Sequence, residues 1–416
     1  MRNVKRVKSE KDLRIVPIFL LGSGKSFIGE DKTEQDVKSD AILKKLNLSN
    51  ESKFLVRKED ELLQINIHNV DGFAIFPYSS ERFSPLIYLA ETKLPMVIVS
   101  EEETYCNALD IYEYLSDHEN VQTVFNPREI REKIKILGAC KWLEDVKICL
   151  FDVGEWKLDG IAWLKNPLTS DKLNTQNVDM EKFLEAYENA DRTEAKSLAK
   201  KWMAESKVLE PSVEDVAKSA RVYVAMKTVM KEMKADAAYV LWCGQFTKKL
   251  GTKMCFALAK LADEGFPVGC WRGENLLPLL ILHSVSNKPV FVCETFTHKG
   301  NTVTVRHCFA PSKIASYRYI LRKWRDMEGT VTGYCQLPQG IVTLINCGIG
   351  DKILVTRGKV LDCKDLGGEN CRMTVWVEIA NEESISKFVG RECAMVYGDF
   401  EKEAKQIGEK LGLKVL

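Results

Sequence analysis

Between Phe266 and Pro311 the chain reads FPVGCWRGENLLPLLILHSVSNKPVFVCETFTHKGNTVTVRHCFAP. Three side chains there could do chemistry: Glu274, Glu294 and His307 end otherwise apolar segments. Apolar strands that finish in acids and an imidazole are how open α/β sheets offer ligands at the mouth of the sheet. Two carboxylates and one imidazole form a hard donor set, which suits Mn²⁺ or Mg²⁺ better than a thiolate-seeking metal. The competing reading is a set of polar strand ends that hold no ion.

Positioning such residues takes a particular order of elements. The first third alternates short apolar runs with helical patterns. RIVPIFLLG, DGFAIFPYS, LPMVIVS and VQTVFNP read as strands, with QDVKSDAILKKLNL and ALDIYEYLSDHE as helices between them. That alternation predicts a parallel sheet covered by helices. A second unit of the same kind begins near residue 128. Its predicted strands are KICLFDVGEW, AAYVLWCGQF, PVGCWRGE and KPVFVCETF, and its helices include KMCFALAKLADEGF and NLLPLLILHSV. After residue 312 the pattern becomes β-rich with glycine turns, which predicts an antiparallel sheet or barrel, closed by a terminal helix. The expected organisation is two Rossmann-like (flavodoxin-like) parallel-sheet domains, 1–127 and 128–311, then an antiparallel β-barrel, 312–416.

The 416 residues are too many for one ordinary core, which agrees with several domains. Sixty Lys and Arg stand against 59 Asp and Glu, a net charge of +1 that supplies no global field for nucleic acid or an anionic membrane. The thirteen cysteines include no Cys-x-x-Cys pair, and most sit in apolar runs, as core thiols do in a reducing compartment. The opening MRNVKRVKSEKDLR has no apolar stretch of the kind a signal peptide needs, and no long uncharged apolar run follows. A cytoplasmic location is the expectation. LGSGKS at 21–26 matches a phosphate-binding loop only in part, because Phe19 stands where the first glycine belongs.

From about residue 237 onward, the order of segments resembles the L-fucose and L-arabinose isomerase family. AAYVLWCGQFTKKLGTKMCFALAKLADEGFPVGC, PVFVCETFTHKGNTVTVRHCFAP, QGIVTLINCGIGDKILVTRGKVLDC and ECAMVYGDFEKEAKQIGEKLGLKVL carry the likeness. The first half is similar only in architecture. The resemblance implies a ketol isomerase that interconverts an aldose and a ketose through a cis-enediol. Mn²⁺, or Mg²⁺ or Co²⁺ in its place, would act as Lewis acid. It implies Glu274 and Glu294 as the base and acid pair, and Glu294, Glu274, Glu392 and His307 around the metal. It also implies a homo-oligomer, a trimer or hexamer.

Two departures from the family pattern stand out. The family's Cys-Glu-Gly-Asp is here Cys270-Trp271-Arg272-Gly273-Glu274, and its His-His pair is Glu392-Cys393. Arg272, Arg306, Lys248 and Lys249 lie near the matched segments, and arginine holds anions bidentately. An acidic, phosphorylated or sulfonated sugar is therefore an expected substrate class, with Arg272 and Arg306 binding it and Trp242 and Trp271 stacking on its face. The alternatives are a sugar-binding or regulatory relative that lost the metal, and a lyase or epimerase reusing enediolate chemistry.

Overall fold

The structure is a computed structural model that describes residues 12–21, 32–48, 52–79, 84–151, 173–208, 210–241, 243–348, 350–367 and 371–416. The chain divides into two units, one ending at Lys141 and the other running from Trp142 to Leu416. The boundary lies within the helix Ile130–Asp145.

The first unit holds five parallel strands: β1 (Ile15–Leu20), β2 (Phe54–Val56), β3 (Gly72–Pro77), β4 (Met96–Val99) and β5 (Val121–Val124). Their order is 2-1-3-4-5. The strands read as continuous apolar runs because both faces are covered. Ile18, Phe73, Ile75, Met96 and Ile98 pack into one buried cluster, and Phe19, Ala74, Phe76, Val97 and Val99 into the other. The short edge strand β2 lies in a charged stretch, SKFLVRKED, and is not among the strands expected from sequence.

In the second unit come β6 (Lys147–Phe151), β7 (Asn174–Val178), β8 (Lys207–Val208), β9 (Ala237–Leu241) and β10 (Val268–Trp271). Four of them form a parallel sheet of order 10-9-6-7. The charged stretch from 179 to 234 is mainly the helices Met180–Glu188, Arg192–Glu205 and Val213–Glu232. Each starts at a side-chain cap, from Asp179, Asp191 and Ser212 respectively.

The remaining strands are β11 (Phe291–Lys299), β12 (Thr302–His307), β13 (Ile320–Arg322), β14 (Thr332–Tyr334), β15 (Gly340–Cys347), β16 (Lys352–Lys364), β17 (Met373–Ile379), β18 (Glu392–Tyr397) and β19 (Lys414–Val415). Six of them close an antiparallel barrel in the order 15-18-11-12-17-16, with β15 also paired to β16. β19 adds to β16 in parallel, and β8, β13 and β14 make a small separate sheet.

The barrel corrects one reading of the sequence. KPVFVCETF is not a strand of the central parallel sheet: β11 pairs antiparallel with both β12 and β18. Two barrel strands thus lie before residue 312. The reason is the turn after Lys299. Gly300 takes a left-handed φ of +55°, which lets β12 fold directly back on β11. With no crossover helix between them, β12 can pair with β11 only in the antiparallel sense.

Gly22–Ser26 of the partial phosphate-loop match, Trp242, Asp152 and Glu155 lie outside the described residues. No helix among the described residues is long and apolar enough to cross a membrane. Cys149, Cys243, Cys270, Cys293, Cys347 and Cys393 are buried free thiols.

Candidate functional site

The site begins where β10 ends. Trp271 has a φ of +99°, an outlying conformation for a bulky side chain. The buried Tyr239 of the neighbouring β9 secures this turn from beneath. Its hydroxyl donates to Arg272 O at 2.5 Å and approaches Cys270 O at 3.2 Å, the carbonyls on either side of Trp271. Gly269 makes room for that tyrosine, since a Cβ there would meet its ring at 2.7 Å. The chain then enters a single 3₁₀ turn, Gly273–Asn275, and the helix Leu276–Ser286.

That turn is fastened to the barrel. Asn275 Nδ2 donates to Glu392 Oε2 at 2.6 Å and to Cys293 O at 3.2 Å. Cys347 Sγ donates to Glu274 O at 3.2 Å. On the barrel wall the register forms a row across five strands: Cys347, Glu392, Glu294, Arg306 and Thr374. Directly paired residues share a face, with Cβ atoms about 5 Å apart. Glu392 and Glu294 are thus neighbours, and Glu274 stands close enough to both the turn and the row to add its charge.

Glu392 carries most of the electrostatic load. It is 2% exposed. Burial, then the charges of Glu294 and Glu274, push its pKa up to about 8, against the pull of Arg272 and Arg391. Arg272 Nε lies 3.9 Å from Glu392 Oε1, and Arg391 reaches Glu294 Oε2 at 3.1 Å. Glu392 Oε1 and Glu294 Oε1 are both buried with no hydrogen-bond partner among the described residues. Two buried acid oxygens without donors are costly as they stand. A divalent cation would satisfy both, so the donor chemistry of Glu294 and Glu392, with Glu274 beside them, fits a hard ion. The fit is chemical rather than a finished cage: among the described residues no three His, Cys, Asp or Glu groups are gathered as metal ligands.

His307 does not join these acids. Arg306 pairs with Glu294, so the next residue on β12 turns to the opposite face. There His307 Nε2 lies 3.9 Å from Cys270 Sγ, and the ring meets Phe309 edge-on. Burial lowers its pKa to about 4 and keeps the imidazole neutral. His283 is also buried, against Trp142, and His298 is exposed near the end of β11. Lys248 and Lys249 are exposed residues of a short helix.

Of the residues expected from sequence, Glu274, Glu294, Glu392, Arg272, Arg306 and Trp271 all belong to β10, its following turn, or the facing barrel row. Four participants were not expected: Tyr239, Asn275, Cys347 and Arg391. Tyr239 and Asn275 act through bonds to distant chain segments, and only Arg391 was within sight, next to Glu392. Compared with known proteins, the chain matches no family model and no curated protein.

Proposed function

We propose that this chain is a metal-dependent ketol isomerase acting on an open-chain sugar. The observation that carries the reading is the pairing of Glu294 with Glu392, near enough to Glu274 to feel its charge, with one oxygen of each of the paired carboxylates buried and without a donor. We further infer that the first sheet, with its 2-1-3-4-5 order, is of the flavodoxin-like kind.

Glu294 and Glu392, with Glu274, would hold Mn²⁺, Mg²⁺ or Co²⁺. Bound there, the ion supplies Lewis acidity toward the sugar carbonyl and its neighbouring hydroxyl. The protein's own part is proton transfer. One carboxylate of the Glu274 and Glu294 pair would take the proton from the carbon beside the carbonyl and return it to the former carbonyl carbon, while the other would pass the hydroxyl proton to the former carbonyl oxygen. Trp271 supplies an apolar wall at the turn, as sugar faces require. The test is isomerisation of a panel of aldoses with added Mn²⁺. Activity that disappears in both Glu294→Gln and Glu274→Gln supports the reading. Turnover untouched by both substitutions sinks it.

One observation favours a second reading. Arg391 on Glu294 and Arg272 beside Glu392 already supply positive charge where an ion would bring it. A sugar-binding protein that has exchanged its metal for arginines would show the same pairs. Titration calorimetry with Mn²⁺ separates the two, because the second reading requires no heat of binding.

A further inference from the structure

Lys253 is a buried charge without a counter-charge. It lies in the turn between the helices Gly244–Leu250 and Cys255–Asp263. The residue is 5% exposed, and among the described residues its ammonium has neither an ion pair nor a hydrogen bond. Lys260, almost equally buried, shows what the same region provides for an ordinary buried lysine. It has Asp263 and Glu205 each at 3.7 Å and the Ser312 hydroxyl at 3.2 Å. Lys253 has only a ring: its Nζ lies 3.7 Å from the centre of Trp324. An aromatic face returns part of the cost of burying an ammonium, not all of it.

A second cation leans on the same ring. Arg325 Cζ is 4.7 Å from its centre. Arg325 is exposed, and it too has no ion pair or hydrogen bond among the described residues. Its φ of +47° is a left-handed conformation that a residue with a side chain adopts at a cost. Lys218, on the helix Val213–Glu232, brings a third charge. Its Nζ is 3.5 Å from where a Cβ on Gly329 would stand, in the loop that follows Trp324. Nearby acids are already engaged, Glu328 with Lys323 and Glu210 with Arg322. Cations gathered without acids attract an anion from outside.

The position of the cluster says which anion. Trp324 Nε1 donates to Cys308 Sγ at 3.2 Å, and Cys308 Sγ lies 3.9 Å from that of Cys371, where the charge of Glu294 is felt. Cys308 is two residues beyond Arg306, the partner of Glu294 across the ladder, about 7 Å along the chain. An open-chain sugar with its carbonyl at the carboxylates has its far end at about this distance. A phosphate monoester suits these cations: it is compact, carries about two negative charges, and takes an ammonium as readily as a guanidinium.

We propose that Lys253 and Arg325, gathered on Trp324, form a phosphate-binding site, and that the phosphate it holds is the remote group of the sugar. The second half rests on the isomerase reading; the first does not. Calorimetry on the full chain without metal measures binding of inorganic phosphate, a hexose and its 6-phosphate. Turnover of the two sugars is followed separately with Mn²⁺. The variants are Lys253→Met, which keeps the buried stem, and Arg325→Gln, which changes only an exposed side chain and decides alone should Lys253→Met fail to fold.

The expected result is that the 6-phosphate binds at least about tenfold more tightly than the hexose or inorganic phosphate. Each substitution should lower that affinity roughly tenfold or more, the range of a charged hydrogen-bonded contact. Lys253→Met should melt no lower than the natural protein, because it removes a buried charge that nothing offsets. A purely structural lysine would give the reverse, a lower melting temperature with phosphate binding unchanged. If the 6-phosphate binds through both cations yet is not isomerised, the isomerase reading fails and the site stands. Absent phosphate binding, or an affinity indifferent to both substitutions, overturns the site. A 6-phosphate that binds no better than inorganic phosphate overturns its link to the sugar.

Discussion

Glu392 shows how one residue type decides a site. A carboxylate buried beside two others is a poor neighbour for anything but a cation or a proton, and its pKa of about 8 expresses that. Glu392→Gln keeps the shape and removes the charge. It should weaken Mn²⁺ binding by at least about tenfold, or ~1.4 kcal/mol, in titration calorimetry; unchanged affinity would remove Glu392 from the ligand set. His307 carries the opposite kind of burial. Its folded pKa of about 4 lies below the 6.5 of a free imidazole. The unfolded chain therefore binds the extra proton between those values, and stability rises with pH across the window. The His307 contribution is complete above pH 6.5 and lost as pH falls toward 4, up to about 3 kcal/mol. Denaturant unfolding at pH 7 and pH 4.5 should show this loss, and His307→Gln should flatten it. A slope that survives the substitution assigns it elsewhere.

At the scale of elements, the turn after β10 is the joint that matters. Tyr239 bonds the carbonyls flanking Trp271, so Tyr239→Phe leaves two buried acceptors without that donor. A loss of about 1–3 kcal/mol is expected in unfolding, with altered tryptophan fluorescence and the barrel's circular dichroism retained. An unchanged stability would mean that the turn holds itself. The same joint marks what could be read in advance. Apolar runs such as IVPIFL and MVIV announce buried parallel strands by composition alone. The direction of β11 was readable too, from the His298-Lys299-Gly300-Asn301 turn, but strand–helix rhythm on either side outweighed that short signal. Glu294 and Glu392 were reachable through the family resemblance of their segments. Asn275 was not, because its partner is 117 positions away and nothing local distinguishes it from a helix-start residue. His307 was misplaced by one residue's worth of strand geometry, since the alternation that presents Arg306 hides its neighbour.

For the whole molecule, the two units own separate cores. Phe73 packs within the first unit's cluster, whereas Phe291 and Val305 belong to the second unit's. Scanning calorimetry should resolve two transitions. Phe73→Ala should lower one of them by about 3–5 kcal/mol, and added Mn²⁺ should raise only the other. A single transition that both treatments shift together would refute independent cores.

The closed ring of six strands behaves like a combination lock. On an open sheet, a strand can slip by one place and disturb only its neighbours. Around a ring every strand is keyed to two others, and a slip must be absorbed before the circuit returns to its start. Glu294 faces Glu392 because the whole circuit agrees that it should. Natural variation in this protein is therefore expected to spare the lengths of β11 and β18. Insertions should gather at the two places where the count is already irregular, beside Phe296 and between Val360 and Asp362.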